Sequence, residues 1–135
     1  MAKTITGVLI DPENGIAEVR TIEDSLDSFY ATLHCTCIDI PSRLIGVGAD
    51  KRRYAIVCDD EGLLKENNFV TATRYDREPM LVGALFVCKD GQNGELASLT
   101  DEEAEHVLSY TSGVWRFSET GIDVWHKIYA MDYDY

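Results

Sequence analysis

Long apolar runs are missing from this 135-residue chain. The uncharged stretches are of strand length, well short of the roughly 18 residues that a membrane-spanning helix needs. The N-terminal Met-Ala-Lys-Thr-Ile-Thr-Gly-Val lacks the apolar core and small-residue cleavage site of a secretory signal, so a soluble, cytoplasmic protein is expected. Basic residues are scarce: 12 Lys and Arg stand against 24 Asp and Glu, a net charge of −12 spread over both halves of the chain. With so few cations to neutralise phosphate, direct binding to nucleic acid or to an anionic membrane is disfavoured. The same charge favours a protein partner with a basic surface, including one whose own nucleic-acid site is basic.

Catalytic signatures are lacking as well. The chain has no G-x-x-x-x-G-K-[ST] phosphate loop, no G-x-G-x-x-G after a strand, no G-x-S-x-G elbow and no H-E-x-x-H zinc helix. A non-enzymatic protein is therefore expected, with no catalytic residue and no cofactor assigned. Repeats, heptads and low-complexity linkers are absent too. At 45% hydrophobic and 27% charged residues, the composition is that of one globular domain.

What is present reads as strands and two helices. Residues 3–10 and 16–22 alternate like strands around the turn Asp11-Pro12-Glu13-Asn14-Gly15, which predicts an opening hairpin. Asp24 is a plausible N-cap, and Leu26, Phe29, Tyr30 and Leu33 have helical spacing, which predicts a helix over 25–33. Strands are expected over 36–47, with Pro41 marking an edge or bulge, then over 53–58, 69–75 and 81–88. A single helical turn is expected over 63–68. Thr100 and Glu103 have capping-box spacing, with acidic residues in the first turn, which predicts a helix over 101–111. The last stretch holds Trp115, Phe117, Trp125, Tyr129, Tyr133 and Tyr135. Within it, Ile122, Trp125 and Tyr129 suggest a short helix. The expected fold is α+β: a single domain with a mostly antiparallel, mixed sheet of five to seven strands, two main helices, and an aromatic C-terminal extension. Residues 1–112 form the body, and 113–135 the extension packed on it.

The order of these signals resembles domain of unknown function family 3846, small proteins encoded mainly by phages, plasmids and conjugative elements. Three segments carry the likeness: Thr21-Ile22-Glu23-Asp24-Ser25-Leu26-Asp27-Ser28-Phe29, Tyr54-Ala55-Ile56-Val57-Cys58-Asp59-Asp60-Glu61-Gly62-Leu63-Leu64, and Val82-Gly83-Ala84-Leu85-Phe86-Val87 through Ser98-Leu99-Thr100-Asp101-Glu102-Glu103. The likeness spans about residues 5–112. The chain departs from the family pattern at His34-Cys35-Thr36-Cys37, at Asp59 and in the residues past 112. The resemblance implies a mobile-element accessory protein and brings no catalytic residues with it.

The candidate partner-binding residues are Asp59, Asp60 and Glu61 in one turn, Asp101, Glu102, Glu103 and Glu105 on the second helix, and Trp115, Trp125 and Tyr129 in the extension. The carboxylates can imitate a phosphate array and occupy a basic groove on a host defence nuclease, of the restriction or nucleic-acid-guided kind. Tryptophan and tyrosine supply binding anchors. Two alternatives stay open. One is a small ligand-binding domain or enzyme with a pocket between sheet and extension, using Cys58, His106 or the Asp59–Glu61 turn. The other is a self-associating module built on Trp115, Trp125 and Tyr129. His34, Cys35 and Cys37 have the residue types of a zinc site but lack a second ligand pair, so no metal is assigned and free thiols are expected. His106, beside Glu102 and Glu103, reads as exposed. Lys51-Arg52-Arg53 reads as a charged hairpin tip.

Overall fold

Residues 3–11 and 16–33 form the hairpin strands and the helix that their periodicity predicts, while the turn residues 12–15 between the strands lie outside the described residues. Strands β1 (Thr4–Asp11) and β2 (Ile16–Glu23) form an antiparallel hairpin, in register from Thr4 opposite Glu23 to Asp11 opposite Ile16. Helix α1 (Leu26–Leu33) follows. Ser25, not Asp24, caps it: the Ser28 N–H donates to the Ser25 hydroxyl at 3.2 Å. The Asp24 N–H donates to the Lys3 carbonyl at 2.9 Å, which joins the helix entry to the start of β1. The structure, a computed structural model, describes residues 3–11, 16–33, 35, 37–40, 42–46, 48–50, 52–59, 70–73, 79–82, 84–91, 95–118 and 121–131.

Two of the expected strands divide. The run over 36–47 breaks around Pro41, which has no N–H to give to a ladder. Strands β3 (Ile38–Asp39) and β4 (Ser42–Ile45) then pair with opposite ends of β5 (Arg52–Asp59), and a 3-10 turn over Gly48–Asp50 precedes β5. Strand β6 (Val70–Thr73) lies within the predicted β-rich segment. The run over 81–88 breaks before Leu85, so that β7 (Pro79–Val82) pairs with β6 while β8 (Leu85–Asp90) goes elsewhere in the sheet. A two-residue strand, β9 (Leu96–Ala97), pairs with β8. Helix α2 (Asp101–Ser109) carries the predicted capping box. The helix expected near 122–129 is instead the second arm of a hairpin, β10 (Thr111–Ser118) with β11 (Gly121–Met131). There the β-branched Ile122, Val124 and Ile128 recur on alternate positions, and that period outweighs the helical one. The turn expected over 63–68 lies outside the described residues.

The strands join in the order β2-β1-β8-β5-β4-β11-β6-β7, with β3, β9 and β10 paired at the side. Every described pairing is antiparallel except β11 with β6. The α+β, mostly antiparallel architecture with two main helices is thus the observed one. Its eleven described strands reflect the two divisions, the short β9 and the C-terminal hairpin.

The centre, β1-β8-β5, is covered on both sides, which explains why Tyr54, Ala55, Ile56, Val57 and Cys58 read as an unbroken apolar run rather than an alternation. Val8, Ile10, Tyr54, Ile56, Leu85 and Val87 face α2 through Leu99, Ala104 and Val107. Ile5, Leu9, Ala55, Val57, Phe86 and Cys88 face α1 through Phe29 and Leu33. Phe29 and Phe86 meet with ring centroids 6.0 Å apart. Gly7 makes room for this contact, since a Cβ there would lie 2.3 Å from the Val87 carbonyl oxygen and 2.8 Å from Phe86 Cζ.

Candidate functional site: the acidic face of α2 and the imidazole beneath it

Capping decides which carboxylates of α2 remain available. The Glu103 N–H donates to the Thr100 hydroxyl at 3.2 Å, the Thr100 N–H donates to the Glu103 carboxylate at 2.9 Å, and Lys89 Nζ holds the same carboxylate at 2.8 Å. Burial alone would raise the Glu103 carboxyl, yet Lys89 and the two Thr100 bonds together hold it below the usual glutamate value. Glu103 is therefore committed to the fold. Asp101, Glu102 and Glu105 are exposed. At 100° per residue they fall within an arc of roughly 100° on one face of the helix. Arg52 Nη2 approaches this face, 3.4 Å from Glu102 and 3.9 Å from Asp50. The exposed Asp50 carboxylate thus extends the acidic patch, and half-buried Arg52 is the cation set into it.

Below lies His106, which the sequence pattern had placed on the wet face. Its side chain is only 4% exposed. The correction comes from the turn over Gly48–Asp50, whose Asp50 carbonyl meets Nε2 at 2.6 Å. A carbonyl only accepts, so Nε2 carries the proton; in the neutral ring Nδ1 then accepts from the Tyr54 hydroxyl at 2.8 Å. The Tyr54 and His106 rings are stacked with centroids 5.6 Å apart, and Tyr110 tilts against the imidazole with centroids 5.2 Å apart. Tyr110 donates to the Asp50 carboxylate at 2.8 Å. Burial pushes the Tyr54 phenol up to about 12, with Arg52 opposing and the Glu103 and Asp50 carboxylates adding to the rise. Both imidazole nitrogens are engaged, so the ring pins α2 to the turn and leaves no nitrogen for a substrate.

The other predicted residues are placed as follows. Asp59 ends β5, opposite Ile38, and is separated from Tyr54 by five residues of strand, roughly 17 Å. It belongs to a different end of the molecule from the α2 face. Asp60 and Glu61 lie outside the described residues. In backbone register Trp115 stands opposite Val124, Trp125 opposite Val114, and Tyr129 opposite Thr73 of β6. Cys58 faces the α2 side of the sheet, whereas Cys35 and Cys88 face the α1 side, and Cys37 is exposed. Thus Cys58 does not converge with Cys35 and Cys88, and none of the four cysteines forms a disulfide. Among the described residues no cluster of His, Cys, Asp and Glu suits a metal ion. Cys58 and His106 share a face, yet the described hydrogen bonds of His106 go to Tyr54 and Asp50 and that of Cys58 to the Asp39 carbonyl, so no nucleophile–base pair forms between them. An open groove of about 390 Å³ runs beside the start of β1, lined by Lys3, Thr4, Ile5, Gly91 and the segment 95–98. It holds none of the residues singled out from the sequence. Among the described residues no helix is long and apolar enough to cross a membrane.

A family model described as Domain of unknown function (DUF3846) matches residues 5–112, which takes in both helices and the central strands. The chain belongs to this family. No curated protein and no solved structure matches it. Within this DUF3846 chain, sequence reasoning missed Asp50, Tyr54 and Tyr110 as parts of the α2 site. The available signal was Asp50 and Tyr54 bracketing the basic tip Lys51-Arg52-Arg53, and it gains meaning only when α2 and the turn are seen together.

Proposed function

We propose that this protein is a non-enzymatic, cytoplasmic accessory factor of a mobile element that acts by binding another protein. In its specific form, the acidic face occupies a basic groove on a nucleic-acid-binding host protein, such as a defence nuclease. The observation that carries the reading is the exposed face formed by Asp50, Asp101, Glu102 and Glu105 on a chain of net charge −12. The capping box and the His106 pin hold this face rigid, which lowers the entropic cost of binding. Engagement of the buried histidine and the absence of catalytic signatures also favour binding over catalysis. The Asp59 turn and the aromatic residues Trp115, Trp125 and Tyr129 are proposed only as secondary partner surfaces.

The test is capture of partners from host lysate on the tagged protein, eluted by a salt gradient and identified by mass spectrometry. A nucleic-acid enzyme released at moderate salt is expected, because exposed charge pairs are screened. The triple variant Asp101→Lys, Glu102→Lys, Glu105→Lys should lose it while keeping its fold by circular dichroism. Retention of the same partner by the triple variant would overturn the reading.

A further inference from the structure

Among the described strands β2 ends the sheet, so no described strand pairs with its outer side. Which groups lie on that side follows from the hairpin. The Thr6 and Thr21 hydroxyls touch at 2.7 Å, which marks this as one of the close pairs that exchange no backbone bonds. Accordingly the Thr6 N–H and carbonyl turn away from β2, to the Ser98 hydroxyl at 2.9 Å and the Leu99 N–H at 2.9 Å. By the same alternation the N–H and carbonyl groups of Ala17, Val19 and Thr21 point outward from the free edge. Val19, at 50% exposure, is one of three large hydrophobic residues left in solvent among those described. Its neighbours, exposed Glu18 and partly exposed Arg20, pair with each other along the strand.

We infer that this edge is a self-association surface: β2 pairs antiparallel with β2 of a second copy of the chain, about a two-fold axis through Val19. Backbone parity requires that paired residue numbers have an even sum, so near the strand's middle the symmetric registers centre on residue 18, 19 or 20. Centring on 18 sets Glu18 against Glu18 of the second copy, and centring on 20 sets Arg20 against Arg20. Centring on 19 sets Val19 against Val19, Ala17 against Thr21, Ile16 against Ile22, and Glu18 against Arg20 on both sides of the axis. Glu18 and Arg20 then fall in close pairs, where cross-strand charges interact most. An edge protected only by charge of one sign repels every partner strand; this edge repels the neighbouring registers and accepts one. The interface is two strands wide and therefore small, which makes the dimer weak and concentration-dependent. It shares no residue with the α2 face, so the partner-binding proposal and this one fail independently.

The experiment is sedimentation equilibrium of the full-length chain from low-micromolar to millimolar concentration, with charge-exchange variants. Wild type is expected to shift from monomer towards dimer mass. Glu18→Arg alone and Arg20→Glu alone place like charges opposite each other twice, and each should weaken association at least tenfold. The double variant E18R/R20E restores opposite charges in the same register and should restore the dimer. Hydrogen exchange provides a second readout: the Ala17, Val19 and Thr21 amides should slow as concentration rises. A wild type that stays monomeric throughout, single variants that dimerise as wild type does, or a double variant that fails to recover would each overturn the inference. So would a dimer that leaves those three amides unprotected.

Discussion

Gly7 shows how little room the centre of the sheet leaves. A methyl group there meets the Val87 carbonyl oxygen at 2.3 Å, and that oxygen belongs to a neighbouring strand held by its own ladder. Gly7→Ala is therefore expected to destabilise the fold by roughly 3 kcal/mol, at the upper end of overpacking costs. Urea unfolding measures this as a lower midpoint with unchanged slope; a loss below about 0.5 kcal/mol would show that β1 and β8 slide apart freely. His106 teaches the complementary lesson about legibility. Its helical position lies between the wet and the packed arcs of α2, and the residues around it in sequence are acidic. What buries it is the Asp50 carbonyl, 56 residues away in the chain, and no local pattern reports such a contact. The buried rows of β1 and β5, by contrast, were legible because apolar identity is a local property.

Elements were legible where their own chemistry closes them. The α2 capping box needs only Thr100 and Glu103, three residues apart, and the structure forms both of its bonds. Thr100→Ala should cost about 1 kcal/mol in thermal or chemical unfolding. Glu103, held at a lowered pKa in the fold, contributes stability that is present above the ordinary glutamate pKa and lost as pH falls through its lowered value. Glu103→Gln should accordingly flatten the acid limb of a stability-versus-pH curve, and an unchanged limb would mean that Lys89 and Thr100 do little for it. Elements whose fate depends on neighbours were not legible. Val82 and Leu85 belong to one apolar run, yet the strands on either side of that break go to different parts of the sheet. The final hairpin offers both a helical and an alternating period, and its pairing to β4 and β6 selects the strand.

For the whole molecule, the two faces of the sheet share a vulnerability to base. Burial pushes the Cys88 thiol on the α1 side up to about 12, with Asp90 and Asp24 adding to it. Burial likewise pushes the Tyr54 phenol on the α2 side up to about 12. Both folded pKa values lie above their unfolded ones, so the native state keeps protons that the unfolded chain releases. Stability should be full below about pH 9 and then decline, first through the thiol and above about pH 10 through the phenol as well, losing a few kcal/mol by pH 11. Tyr54→Phe should remove the later part of that decline, and Cys88→Ala the earlier part, in unfolding followed across pH. The order of the strands also bears on how the chain comes into being. Strand β8 is the eighth to be synthesised yet stands third in the sheet, between β1 and β5. Until residues 85–90 clear the ribosome, β1 and β5 each expose a bare inner edge, and the chain that has emerged has a hairpin and a helix with no floor to rest on. Folding thus waits on translation. A stop anywhere before Leu85 would release not a smaller domain but two sticky strand edges, suited to aggregation or to proteolysis.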